Sequence, residues 1–423
     1  MNVKKLALLG GDPIVPEKSR TRWSWPPRYA GMGDLVKNYI DEGKPLSIQD
    51  QSGIIKQVEE ELKRRFTRKH AIYCSSGTMC LYSAFFALKI EPSDEIICPT
   101  ITYHATATPA LHFGAQIVLV DVEADTGNIS VEAITKNITS KTKCLVTNAM
   151  WGHPVEQAAI QKICQEKKIA WIEDCSHAQF SNYMGKPVGS WGDIACASLQ
   201  GEKIVSGGEG GVLLTDSDEI HDQVVLLGHN LKRSENCVAN NLFKPIGRTG
   251  WGLKLRGHPL AAVLVYDQLI NHVDTWIKER SQSLKKLSLF IGQLKGIRPP
   301  VIRDTTTSMG AWYGYKPWID FTELGISRET IVAALNAEGI EVSIPASPSL
   351  HKLALFNSEN FSIRGYKKQD NSNNKYPNAE SYLNGLLSLP TFTGKRDEKA
   401  LEQTMLAFEK VWGNREQLKQ WNK

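Results

Sequence analysis

Ile194-Ala-Cys-Ala-Ser198-Leu-Gln-Gly-Glu-Lys203-Ile-Val-Ser-Gly-Gly-Glu-Gly-Gly211-Val-Leu-Leu-Thr215 reads as two short apolar runs joined by a turn. The runs are continuously apolar, as strands covered on both faces are. The turn carries one lysine and then a series of glycines, which let backbone take left-handed conformations and approach a ligand closely. Lys203 therefore stands at the edge of a sheet. Upstream, Trp171-Ile-Glu-Asp174-Cys-Ser-His177 is a second apolar strand that ends in an acid. A sheet-end lysine and a sheet-end acid suit a pyridine aldehyde cofactor. The lysine makes a Schiff base and the acid keeps the ring nitrogen protonated.

The same pattern extends outward. Strand-like runs occur at Ala71–Tyr73, Glu95–Cys98, Gln116–Asp121, Cys144–Thr147, Ala170–Glu173, Ile194–Ala197 and Gly211–Thr215, with helical patterns between them. This predicts an α/β fold: a three-layer αβα large domain on a mostly parallel seven-stranded sheet. Ligands in such sheets bind outside the carboxyl ends of the strands, where Asp174 and Ser198 fall. Residues 1–50, rich in proline and tryptophan, read as an extended arm, and residues 51–277 as the cofactor-binding large domain. Residues 278–423 read as a smaller α+β C-terminal domain. Helices are expected from Pro259 to Ile277, through Leu284 to Leu294, from Ser327 to Gly339 and from Asp397 to Trp412. Trp312–Phe321 is strand-like, and the Asn-rich residues 357–380 read as a flexible surface loop.

Composition narrows the class. Of 423 residues, 41% are hydrophobic and 22% charged, and the net charge is only +5, ordinary for a soluble globular protein. The basic run Lys63-Arg64-Arg65 spans one helical turn, too little for a nucleic-acid footprint. No apolar stretch is long enough to span a membrane, and the apolar run at Leu6–Leu9 is too short for a signal peptide. Eight cysteines without a C-x-x-C pair argue against a disulfide framework and for a reducing cytoplasm. Cys175 and His177 have no second pair at ligand spacing, so no metal site is expected.

Other residues could complete a cofactor site. Gly77, Thr78 and Met79 open an apolar helix, where free N–H groups and the helix dipole favour a phosphate. Ser198 could donate to the same phosphate, His177 could bond a ring oxygen, and Tyr103 could stack on a flat ring. Each has a plainer reading: an N-cap at Ser75–Thr78, a salt bridge at Asp174, a solvated turn lysine at 203, a structural histidine, a core tyrosine. The phosphate loop, acid, serine and lysine, in that order on one α/β pattern, outweigh those readings together.

The chain resembles the DegT/StrS family of sugar and cyclitol aminotransferases, which are fold-type I pyridoxal-phosphate enzymes. The resemblance is carried by Pro92–Thr106, by Ile172-Glu-Asp-Cys-Ser-His177, and by Val188–Ile194 followed by Ser198, Lys203 and Gly208–Gly211. It implies pyridoxal 5′-phosphate as cofactor, with the pyridoxamine form as intermediate. It further implies Lys203 as the Schiff-base lysine and Asp174 as the pyridinium partner. Tyr103 would be the stacking aromatic, His177 the ring-oxygen partner, and Ser198, Gly77, Thr78 and Met79 the phosphate anchors. A homodimer with shared sites follows, as does an amino donor of the glutamate or glutamine type. Because Lys203 is present, the dehydratase branch is not implied. The opening, Leu6–Pro13 with Trp23-Ser-Trp-Pro26, is similar to the branches acting on keto-inositols and to 3-amino-5-hydroxybenzoate synthases. The expected function is transamination of a keto sugar or cyclitol. A 3-amino-5-hydroxybenzoate synthase-like activity and a non-catalytic regulatory protein on the same fold are the alternatives. Three positions depart from the family pattern. Lys254 stands for the asparagine that reaches a neighbour's cofactor phosphate and is expected to bind it as a point charge, and Arg256 is a candidate substrate contact. Phe180 replaces a glycine and is expected to narrow the substrate pocket. Gly228-His-Asn230 only loosely matches the family's R-N-H-G.

Overall fold

The computed structural model describes residues 5–20, 25, 28–229, 231–346, 348–357 and 375–421. Trp23, Pro26 and Asn230, and most of the expected loop at 357–380, lie outside the described residues; within that stretch, Pro377–Gly385 is a helix. The seven expected strands are present as β1 (His70–Cys74), β2 (Glu95–Pro99), β3 (Gln116–Val120), β4 (Thr142–Asn148), β5 (Ala170–Asp174), β6 (Ile194–Ser198) and β7 (Gly211–Thr215). They form one sheet in the order β1-β7-β6-β5-β4-β2-β3. Only β7 runs antiparallel to its neighbours. The other pairings are parallel. Because β6 and β7 are antiparallel, with Ser198 opposite Gly211, the turn between them lies at the edge where β5 ends. That register brings Lys203 to the side of the sheet that carries Asp174.

Side chains alternate across the strands and divide among three clusters, one of them formed by Ile97, Val118, Leu145 and Trp171 with Ile160. Ile72, Cys98, Cys196 and Leu213 pack with Leu81 and Phe85 of helix α2 (Gly77–Ala87). Ala71, Tyr73, Ala197 and Leu214 pack with Val58, Leu62 and Phe66 of helix α1 (Gly53–Phe66). A sheet covered on both faces explains why its strands read as unbroken apolar runs.

A separate core joins Leu284 and Ile291 to Ile331, Leu335, Leu401 and Phe408, and it takes in Leu6 and Val15 from the chain's beginning. The expected end of a helix at Ile277 is not seen. Helix α3 (Pro259–Asp267) continues through a π-turn (Gln268–His272) into α4 (Val273–Ile291). Neither glycine nor proline interrupts Ile277–Leu284, so the ladder has no reason to stop. Helix α5 (Arg328–Ala337), capped by the Ser327 hydroxyl, and α6 (Gly394–Gly413) follow the sequence expectation. Two expectations fail. Within the supposed extended arm, Met32–Asp41 is helical and buries Tyr39. Of Trp312–Phe321, only Trp318–Ile319 is a strand. In the remainder, Tyr313 and Lys316 line cavities while Trp312 and Tyr315 enter the C-terminal core, so the side chains do not alternate across a sheet. Among the described residues no helix is long and apolar enough to cross a membrane.

Candidate active site

A cavity of about 440 Å³ opens at the carboxyl edge of the sheet, and its lining includes Gly77, Thr78, Tyr103, Asp174, His177, Ser198 and Lys203. A larger space of about 800 Å³ lies at the opposite edge, around Arg68, Ala170 and Asp193, and holds none of these groups. The smaller cavity is the one with chemistry, because amine, acid and helix start converge there.

Lys203 is only 7% exposed. Its ammonium sits 3.8 Å from the centre of the Tyr313 ring. Burial pulls its pKa down to about 8, against the opposing pull of the Asp174 and Glu202 carboxylates. A lysine so placed is a neutral nucleophile far more often than one in water.

Asp174 ends β5. Its Oδ2 accepts from the Thr106 hydroxyl at 2.7 Å and from the Asn148 amide at 3.5 Å, and its Oδ1 accepts from the Ser176 N–H at 3.0 Å. These donors fix the carboxylate's orientation, while its residue still lines the cavity.

His177 lies in a stack of three rings. Tyr313 is 3.9 Å away at 13°, and Trp151 is 5.6 Å away at 20°. Burial, then the nearby Lys203 and Lys316 charges, hold its pKa well below the usual histidine value. It is therefore a neutral ring, able to accept or donate one bond.

Ser76 caps α2, its hydroxyl accepting from the Met79 N–H at 3.2 Å. Met79's amide is thus already engaged and Met79 does not line the cavity, whereas Ser76, Gly77 and Thr78 do. A Cβ on Gly77 would stand 2.9 Å from the Ser198 Cβ, so only glycine lets the helix start approach the end of β6. The Ser198 hydroxyl accepts from the Gln200 N–H at 3.3 Å, which leaves its proton for another acceptor. Tyr103 lines the cavity yet is 56% exposed.

These residues fit a phosphorylated pyridine aldehyde. The buried His177 Nδ1 and Asn148 Oδ1 have no protein partner among the described residues. The donor set pairs an amine and an acid with a helix start and a free serine proton. Both residues line this cavity, so both atoms are open to a bond from a ligand there.

Three expected site residues lie elsewhere. Phe180 does not narrow this cavity. Its backbone turns at φ 62°, and its ring packs on Phe66 at 5.8 Å and under the Arg65 guanidinium at 5.4 Å. Lys254 is exposed and Arg256 partly buried, and neither lines this chain's cavity. Sequence reasoning missed Tyr313, Thr106 and Asn148. Thr106 and Asn148 follow or end strands, which is a usable signal. Tyr313 sits in an irregular segment without periodicity and carries none.

The sequence pattern of the DegT/DnrJ/EryC1/StrS aminotransferase family matches residues 48–403. The chain belongs to that family. It is accordingly an aminotransferase, and its curated relatives point to sugars and cyclitols. It is 29% identical over 347 residues to a spore coat polysaccharide biosynthesis protein of Bacillus subtilis, covering 81% of this chain and 86% of the relative. It is 28% identical over 358 residues to a putative L-glutamine:3-amino-2,3-dideoxy-scyllo-inosose aminotransferase of Micromonospora echinospora, covering 84% and 82%. An aminotransferase structure from Psychrobacter cryohalolentis superposes with a TM-score of 0.82 at 23% identity, over 93% of this chain and 99% of that one. That likeness confirms the fold.

Proposed function

We propose that this aminotransferase uses pyridoxal 5′-phosphate to move an amino group from glutamate or glutamine to a keto group on a sugar or cyclitol. The observation that carries the reading is a buried lysine amine sharing one cavity with the strand-end Asp174 and the start of α2. The bound cofactor supplies an electron sink for the carbon next to the amine. Lys203 is the residue that holds it covalently and, once displaced, carries a proton from the donor's α-carbon. Asp174 presents its carboxylate to the pyridine nitrogen, held in line by Thr106, Asn148 and Ser176. Gly77, Thr78 and Ser198 would hold the phosphate, and His177, whose Nδ1 has no protein partner among the described residues, would bond the ring. Tyr103 covers the ring face.

The reading extends to a homodimer in a reducing cytoplasm, with Lys254 and Arg256 contributing to the neighbouring subunit's site. Their absence from this chain's own cavity and the exposure of Lys254 and Tyr103 support it. Residues 51–277 would carry the cofactor, and residues 278–423 would border the reactant space.

The test is spectroscopic. Protein supplied with pyridoxal phosphate should show a visible band that glutamate or glutamine removes. A panel of keto-inositols, nucleotide keto sugars and amino-dehydroshikimate-type ketones should then contain one that restores it. A band of equal strength in Lys203→Ala would refute the assignment, and a band indifferent to every donor would favour a non-catalytic role.

A further inference from the structure

Two lysines of the C-terminal half turn their ammonium groups inward, Lys410 on a buried residue and Lys316 on a partly buried one, and they differ in one respect. Lys410 meets the Glu338 carboxylate at 2.8 Å and the Asp12 carbonyl at 2.7 Å, a closed internal pair. Lys316 meets only the Ser388 hydroxyl and the face of Trp151, 4.8 Å from the ring centre. Among the described residues no carboxylate offsets its burial, and its pKa falls to about 8 through desolvation alone. A buried cation without an anion is costly, and proteins keep one where a ligand brings the anion.

The surroundings place that ligand. Lys316 lines a cavity of about 420 Å³ with Trp151, Tyr313, Ser343, Ser388 and Thr391. Tyr313 and Glu202 belong to this cavity and to the one holding Lys203, so the two adjoin. Along the ring stack Trp151–His177–Tyr313, Lys316 caps one end and Lys203 the other. Gly314 makes the arrangement possible. A Cβ there would stand 2.9 Å from Lys316 Cε and 3.2 Å from the Trp151 ring.

We propose that Lys316 is a carboxylate-binding residue of the reactant cavity, holding an acid group of the molecule whose amine or ketone meets Lys203. The inference rests on the proposed aminotransfer at Lys203 and adds a specificity determinant to it. A carboxylate can come from the amino-acid donor or from an acidic ring acceptor. Ser343, Ser388 and Thr391 around it suit the remaining oxygens of either.

Calorimetry on the cofactor-loaded protein separates these. Glutarate, the donor skeleton without its amine, and cyclohexanecarboxylate, a ring acid, are titrated into wild type, Lys316→Met and Lys316→Arg. Loss of about tenfold or more in glutarate affinity in Lys316→Met, largely restored in Lys316→Arg, assigns the residue to the donor. The same pattern with cyclohexanecarboxylate assigns it to the acceptor. Equal binding by wild type and Lys316→Met, or no binding of either acid by wild type, overturns the proposal. The visible band is recorded on the same samples. Its absence from wild type counts against the function proposed for Lys203, whereas its retention in Lys316→Met shows the variant is folded and loaded.

Discussion

Glu173 and Asp174 are consecutive, almost equally buried at 2% and 4% exposed, and differ in what surrounds them. Adjacent residues of a strand face opposite sides of the sheet. On one side, Glu173 accepts the N–H groups of Gly189, Trp191 and Gly192 at 2.9, 2.8 and 2.7 Å. Arg68 lies 3.5 Å from it and donates to the carbonyls of Gly189 and Gly192. That carboxylate is consumed in holding the loop before β6. On the other side, Asp174 is oriented by Thr106, Asn148 and Ser176 and still borders an open cavity. Burial alone does not separate a structural acid from a functional one; the completeness of its partners does.

The strongest way to break this contrast is at the lysine on the cavity side. Lys203→Ala should lower turnover by at least about 10³-fold, since it removes both the covalent anchor and the proton carrier. Its unfolding midpoint in urea should stay close to wild type. Asp174→Asn keeps the shape and removes the charge, and its turnover should fall by about 10²–10³-fold. The neighbour should behave in the opposite way. Glu173→Ala leaves three buried N–H groups without their acceptor, while Arg68 keeps Asp216 at 2.8 Å, and should cost about 3 kcal/mol in urea unfolding, with turnover per folded molecule nearly unchanged. If Glu173→Ala and Asp174→Asn instead lose stability and activity alike, the distinction between the two faces fails.

A pH series sharpens the same contrast. Only the neutral amine of Lys203 attacks an aldehyde, so imine formation by cofactor-free protein should rise with pH and be half-maximal near pH 8. The Asp174 charge holds that value up, so Asp174→Asn should move the midpoint to lower pH. The stability sign follows from the same shift. Folding depresses this lysine's pKa from 10.5 to about 8, so the unfolded chain binds more protons between those values. The contribution of Lys203 is therefore unfavourable below pH 8 and is relieved as pH rises toward 10.5. Midpoints that coincide in the two proteins would show that Asp174 does not act on Lys203.

The central sheet was legible because its strands are buried on both faces and read as uninterrupted apolar runs between turn residues. Asp174, Ser198 and Lys203 were legible because each ends or follows such a run, so chain position alone brings them to one edge. The residues beyond that rule were not. Tyr313 and Lys316 come from a segment whose aromatic pattern imitates a strand, although only Trp318–Ile319 forms one and Tyr315 makes a single bridge to Leu389. Met32–Asp41 was hidden by the prolines and tryptophans around it. The expected helix end at Ile277 falls inside α4, where no glycine or proline stops the ladder; Gly296 and Pro299, the first strong breakers, lie beyond both helices.

Phe180 offers the mildest test, on the structural side of the comparison. Its ring leans on Phe66, and a Cβ on Gly189, whose N–H Glu173 accepts, would stand 2.8 Å from Phe66. Replacing this partly buried ring with glycine removes packing of about 1 kcal/mol. It also relieves a non-glycine residue held at φ 62°, worth about 1 kcal/mol in return. Phe180→Gly should therefore unfold within about 1 kcal/mol of wild type, because the two terms oppose. Its KM for the keto acceptor should be unchanged, since the ring is outside the lining of the Lys203 cavity. A KM that falls severalfold with stability unaltered would instead place Phe180 in the path of the substrate, and the line between the two faces would have to be redrawn through the turn at Cys175–Ser181.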